Sequence, residues 1–231
     1  MAMYNILLFD LDDTVLDFRK SELKALEKVF QSFHIPFTSE NIAAYKNINH
    51  NLWVDFEGGK IERHTIFETR FPKFLKMHGH HVTGLEVDMM YRAFLAEGHD
   101  VKEGARELLS DLKASGHRLF AVTNGLLEMQ CRRLKDSGLD VYFEQVFISE
   151  QTGYKKPDIE FFDYVFERIP NFDKSQTVII GDMLHADILG GINAGIDTIW
   201  IKERDVLKYL DLEPTYTVHS IKELRQLLLK G

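Results

Sequence analysis

Short apolar runs that stop abruptly at a polar cluster recur along the chain, at residues 6–11, 119–122, 146–148, 178–180 and 198–201. None of them alternates apolar with polar residues, as a strand with one wet face must. They therefore read as strands buried on both faces of a parallel sheet. Between them lie stretches with helical spacing. Residues 105–115 place Ala105, Leu108, Leu109 and Leu112 on one face, and residues 159–169 do the same with Phe161, Phe162, Val165 and Phe166. Strand and helix in alternation predict a doubly wound, Rossmann-like α/β sheet. Gly116, Gly138 and Gly195 each close a helical stretch shortly before the next strand, where a left-handed C-cap is expected.

The alternation breaks once. Between the first and second apolar runs only helical patterns occur, through residues 21–33, 39–53, 61–77 and 85–95. A crossover helix needs far less chain than this. The expectation is an all-helical subdomain at residues 18–97, hinged at Gly98 and inserted into an α/β core made of residues 1–17 and 98–231.

Charge and cysteine usage narrow the partners. A formal charge of -8, from 28 Lys+Arg against 36 Asp+Glu, argues against a nucleic-acid polymer as ligand. The densest basic cluster, Arg132, Arg133 and Lys135, is too short to change that. Cys131 is the single cysteine and reads as a small buried apolar residue. It cannot form an internal disulfide, which favours a reducing compartment, the cytoplasm. The first apolar run ends at Asp10, so neither a signal peptide nor a membrane-spanning helix can be built there. A small-molecule partner and a monomer or weak homodimer are expected.

Polar residues at the strand ends carry the chemistry. The first strand ends in Asp10-Leu11-Asp12-Asp13-Thr14, the second in Thr123-Asn124-Gly125, the third leads to Lys155-Lys156-Pro157-Asp158, and the fourth ends in Gly181-Asp182 with Asp187 further on. Parallel strands bring these to one edge, where open α/β sheets bind ligands. A phosphate monoester repels a carboxylate nucleophile, so a metal ion and a lysine must neutralise it before an aspartate can approach phosphorus. Oxygen ligands from Asp10 and Asp182 suit Mg²⁺. His78, His80 and His81 around Gly79 read as a polar loop rather than a metal site.

These motifs, in this order, resemble those of the haloacid dehalogenase superfamily of phosphotransferases, and the helical insert resembles that family's cap. The resemblance implies that Asp10 is the nucleophile and that Asp12 alternates as general acid and base. It implies metal ligation by Asp10, the Asp12 carbonyl and Asp182, with Asp187 orienting that shell. Thr123 and the Asn124 amide would hold the phosphoryl oxygens and Lys156 would neutralise charge. Lys156 is preferred to Lys155 because it directly precedes the proline. The dehalogenases of the superfamily lack the second aspartate, so its presence here favours phosphoester hydrolysis.

Residues 45–53 with Glu57-Gly58 are similar to the caps of bacterial nucleotidases acting on nucleoside 5′-monophosphates. In such a cap Asn49 and neighbouring asparagines would read a base edge while Trp53 or Tyr45 stacks on it. His185 lies inside the last motif, where it either touches substrate or covers the loop, the second being the preferred reading. A sugar-phosphate or phosphoglycolate phosphatase is the alternative within the family. A phosphorylatable receiver domain is the alternative from another class, but it needs an acceptor aspartate after the third strand, where this chain has Ser149-Glu150-Gln151.

Overall fold

The computed structural model describes residues 4–57, 59–203 and 211–229. By internal contacts the chain divides into two compact units, Met1–Phe18 with His99–Gly231, and Arg19–Gly98.

The first unit is built on six parallel strands: β1 (Ile6–Phe9), β2 (Arg118–Thr123), β3 (Gln145–Ile148), β4 (Thr177–Gly181), β5 (Asp197–Ile201) and β6 (Tyr216–Val218). Their order is β3-β2-β1-β4-β5-β6. The five expected strands are present, within one residue of the predicted limits except for β1, which stops at Phe9, two residues short. The sixth has no counterpart in the apolar pattern. It is three residues long and buries only Val218, because a short edge strand does not need two apolar faces.

Successive side chains on the strands point to opposite faces, and both faces are covered. Leu7, Phe9, Leu119, Ala121, Val178 and Ile180 pack with Leu108, Leu109 and Leu112 of helix α5 (Ala105–Ala114) and with Leu224 of α10 (Ile221–Leu229). Ile6, Leu8, Phe120, Val122 and Ile179 pack on the other face with Phe161, Phe162 and Val165 of α8 (Ile159–Glu167). Such fully buried rings are costly to truncate, about 3–5 kcal/mol for a Phe→Ala change. The remaining helices of this unit are α6 (Leu127–Ser137), α7 (Ser149–Thr152) and α9 (Gly190–Ala194), the last preceded by a π-helical turn at Leu184–Leu189. Gly116, Gly138 and Gly195 have φ of 88°, 65° and 68°, the left-handed conformation expected of them.

Strand β1 pairs with β2 on one side and β4 on the other. The order of connection reverses beside β1, so its carboxyl edge opens a crevice at the topological switch point. The second unit consists of α1 (Phe18–Ser32) from Arg19 on, with α2 (Ser39–Glu57), α3 (Arg63–Lys76) and α4 (Gly84–Ala96). Among the described residues no helix is long and apolar enough to cross a membrane.

Candidate active site

Asp10 is the first residue beyond β1, and its N–H donates to the Ile180 carbonyl at 2.9 Å. Lys156, four residues beyond α7, buries its side chain beneath it. The ammonium donates to Asp10 Oδ1 at 2.7 Å, Asp187 Oδ1 at 2.6 Å and the Val122 carbonyl at 2.8 Å. Those are all the donors an ammonium has. Lys155 is half-buried and Lys156 fully buried, so the inward lysine is the one that precedes proline.

Burial pushes the Asp10 carboxyl up, to about 7, against the opposing pull of Lys156. The Lys156 ammonium is disfavoured by the same burial, yet Asp10 and Asp187 hold it above the ordinary lysine range. A cation in contact with two carboxylates stays charged, and the net of these opposed effects leaves Asp10 as the group whose charge most needs support. A bound cation would supply that support.

Asp187 is locked in place. Its Oδ2 accepts the Met183 N–H at 3.0 Å while its own N–H donates to the Met183 carbonyl at 2.9 Å. The carboxylate folds back so closely that a Cβ on Gly181 would lie 2.1 Å from Asp187 Oδ2, which is why glycine ends β4. The Asp182 carbonyl accepts the Trp200 indole N–H at 2.9 Å. Carboxylate oxygens of Asp10, Asp182 and Asp187 lie within 4.8 Å of one another, the one such cluster of three potential metal ligands among the described residues. An all-oxygen donor set of this kind fits a hard cation such as Mg²⁺.

Thr123 ends β2 and is buried. Its hydroxyl oxygen accepts from the Gly125 N–H at 3.1 Å and from Gln130 Nε2 at 3.0 Å. With both lone pairs used, the hydroxyl hydrogen is left to donate elsewhere. The Asn124 carboxamide is committed to Lys156, donating to its carbonyl at 2.8 Å and accepting its N–H at 2.9 Å.

Asp12 shows what the sequence reading missed. Gln130 Nε2 donates to Asp12 Oδ2 at 2.7 Å, and the Arg133 guanidinium is ion-paired with Asp12 Oδ1. Arg133 counted only as part of a short basic cluster in the sequence, and its side chain is fully buried. Residues 130, 133, 134 and 137 of α6 are all buried. Helical spacing marks this face, yet only Leu134 on it is apolar, so hydrophobic periodicity alone passes over it. Cys131, expected to be buried, is exposed on the same helix.

In the second unit the expected substrate residues fare differently. Tyr45 is fully buried, stacked on Phe71 with ring centroids 5.0 Å apart and edge-on to Phe74 at 5.9 Å. It belongs to the core of that unit, which overturns its expected stacking on a base. Asn49 accepts a hydrogen bond from buried Arg70 at 3.2 Å. Trp53 is half-buried and meets Phe56 edge to face at 5.8 Å. His78 and His80 pack against Phe74 and Phe33. His185 is half-buried, and its Nδ1 makes no hydrogen bond among the described residues.

Residues 7–201 match the family model described as haloacid dehalogenase-like hydrolase, a span running from β1 to β5 and including every edge loop described above. The chain belongs to that family and is an enzyme of the hydrolase class, which removes the receiver alternative.

Particular relatives cover nearly the whole chain. It is 45% identical to the HAD-hydrolase YfnB of Bacillus subtilis, across 99% of this chain and 97% of that protein. A crystal structure of YfnB bound to magnesium superposes with a TM-score of 0.93, covering 97% of this chain and 98% of that one. The pyrimidine 5′-nucleotidase PynA of Streptococcus pneumoniae is 39% identical across 99% of this chain and 96% of its own length. The pyrimidine 5′-nucleotidase YjjG of Escherichia coli is 34% identical, with 96% of each chain covered.

Proposed function

We propose that this protein is a Mg²⁺-dependent phosphatase that hydrolyses nucleoside 5′-monophosphates, pyrimidine nucleotides foremost, through an aspartyl-phosphate at Asp10. The observation that carries the reading is the buried Lys156 ammonium, 2.7 Å from Asp10 and 2.6 Å from Asp187, beside a Thr123 hydroxyl left free to donate. A lone nucleophilic carboxylate would be repelled by a phosphate dianion. One neutralised by a neighbouring ammonium is not.

In this mechanism an Asp10 oxygen forms a bond to phosphorus as the ester P–O bond breaks. The leaving oxygen takes the proton that Asp12 carries. Asp12, now a carboxylate, then removes a proton from water as that water's oxygen bonds to phosphorus and the Asp10–phosphorus bond breaks. Thr123 and the Asn124 N–H hold phosphoryl oxygens, and Lys156 offsets their charge. Asp10, Asp182 and the Asp12 carbonyl would hold Mg²⁺, with Asp187 fixing the shell, and the ion would add charge stabilisation at the phosphoryl group.

The nucleotide preference is supported by the names of PynA and YjjG, at 39% and 34% identity. We assign residues 19–98 as the cap, with Trp53 offering a ring face to a base and the Asn49 NH₂ a donor to its edge.

A panel of phosphate monoesters assayed with Mg²⁺ tests this directly. Uridylate and thymidylate types should be turned over faster than hexose phosphates or phosphoglycolate. A tenfold advantage for a sugar phosphate or for phosphoglycolate would replace the nucleotidase reading with one of those activities.

A further inference from the structure

Helix α6 begins four residues after Thr123, at the end of β2, and carries Gln130 and Arg133 one turn apart on its buried face. The two side chains close a ring around the Asp12 carboxylate. Arg133 donates to Asp12 Oδ1 and, at 3.0 Å, to Gln130 Oε1, while Gln130 Nε2 donates to Asp12 Oδ2 at 2.7 Å. The same Nε2 also donates to Thr123 Oγ1 at 3.0 Å. The ring of Phe18 lies 5.6 Å from the guanidinium on another side. Gly125 is required by this arrangement, since a Cβ there would fall 2.5 Å from Gln130 Cγ.

Burying a guanidinium completely costs several kcal/mol of desolvation, and an apolar side chain of similar size would fill the same volume without that cost. The pair is also lopsided. Arg133 is 0% exposed while Asp12 keeps 28% of its side chain in contact with solvent. Both Asp12 oxygens receive a donor from the inner side, which removes its rotational freedom while leaving a second lone pair on each oxygen.

Resting on the assignment of Asp12 as general acid and base, we infer that Arg133 and Gln130 are positioning residues for proton transfer. They fix the Asp12 carboxylate in one orientation and tie it, through Gln130, to the hydroxyl that cradles the phosphoryl group. One βα unit thereby sets both the position of phosphorus and the position of the proton delivered to the leaving oxygen.

The test uses the dependence on leaving group. An alkyl phosphate such as a nucleoside 5′-monophosphate needs a proton on its departing oxygen, whereas 2,4-dinitrophenyl phosphate leaves readily without one. The kcat/KM value reports the steps up to leaving-group departure and omits the later hydrolysis. For Arg133→Met, kcat/KM on the alkyl ester should fall on the order of 100-fold and that on the dinitrophenyl ester by less than about threefold. Gln130→Met should give the same selectivity at roughly tenfold, and Arg133→Lys should recover part of the Arg133→Met loss.

Equal losses on both esters would mean a general structural role and overturn the inference. If Arg133→Met does not fold, as judged by its melting transition, Gln130→Met decides on the same criterion. Asp12→Asn is the control that separates the two levels. If it fails to discriminate between the esters, the acid/base assignment itself is wrong. If it discriminates and the two α6 variants do not, only the positioning role is lost.

Discussion

Among the described residues each unit buries a set of paired charges, and the two sets are built differently. In the helical unit Arg70 is held by Asp88, with Nε to Oδ1 at 2.7 Å, and Arg92 reaches Asp88 Oδ2 at 2.7 Å. Burial pushes the Asp88 carboxyl up, and the two arginines oppose it. Arg70 and Asp88 are both withdrawn from solvent, with side-chain exposures of 5% and 0%. At the sheet edge the cations Lys156 and Arg133 are just as deeply buried, as is Asp187, but Asp10 and Asp12 retain 10% and 28% exposure. In the helical unit the shared anion is sealed and solvent reaches mainly the cation Arg92, at 27% exposure, so that set holds helices together. A set with two anions facing outward over buried cations can act on something else.

That contrast sets an order of expected effects. Asp10→Asn should abolish phosphate release, by on the order of 10³-fold or more, with the fold retained by circular dichroism. Full activity in that variant would remove the covalent mechanism. Chelation by EDTA should stop turnover, and added Mg²⁺ should restore it. Activity that persists in excess chelator would mean the Asp10–Asp182–Asp187 cluster works without a metal.

Lys156→Met should be damaging twice over. It removes the charge that counters Asp10, and it leaves two buried carboxylates facing each other, a destabilisation of about 3–5 kcal/mol by analogy with broken buried pairs. Denaturant unfolding monitored with and without Mg²⁺ separates these, because a bound divalent cation should return part of the stability. Arg70→Met should cost a similar about 3–5 kcal/mol yet leave kcat on a small aryl phosphate within about threefold, because Arg70 acts within the helical unit. A large loss of kcat without loss of stability would break the distinction between the two networks. The smallest effect belongs to exposed Cys131, where Cys131→Ser should change stability by no more than about 0.5 kcal/mol.

The sheet and the edge motifs were legible in the sequence for a physical reason. Strands buried on both faces must be apolar throughout, and a parallel sheet puts all their carboxyl ends on one side. The pattern therefore gathers Asp10, Asp182, Asp187, Thr123 and Lys156 at one edge of the sheet. It does not reach Gln130 and Arg133, because a polar residue on a buried helical face looks like a surface residue until its partner is known. Asp12 is more than a hundred positions away along the chain. Tyr45 misled in the opposite direction. An aromatic next to asparagines suggested a base-stacking platform, whereas its ring fills the gap between Phe71 and Phe74. Strand β6 escaped because only one of its residues is buried.

The central claim is that phosphorus passes through Asp10. Rapid acid quench during turnover of uridine monophosphate with Mg²⁺, followed by borohydride reduction and peptide mass spectrometry, tests it most directly. An aspartyl-phosphate would be reduced to homoserine, and the account predicts homoserine at position 10 in the wild type and none in Asp10→Asn. Steady phosphate release with unmodified Asp10, or homoserine at another carboxylate, would contradict it.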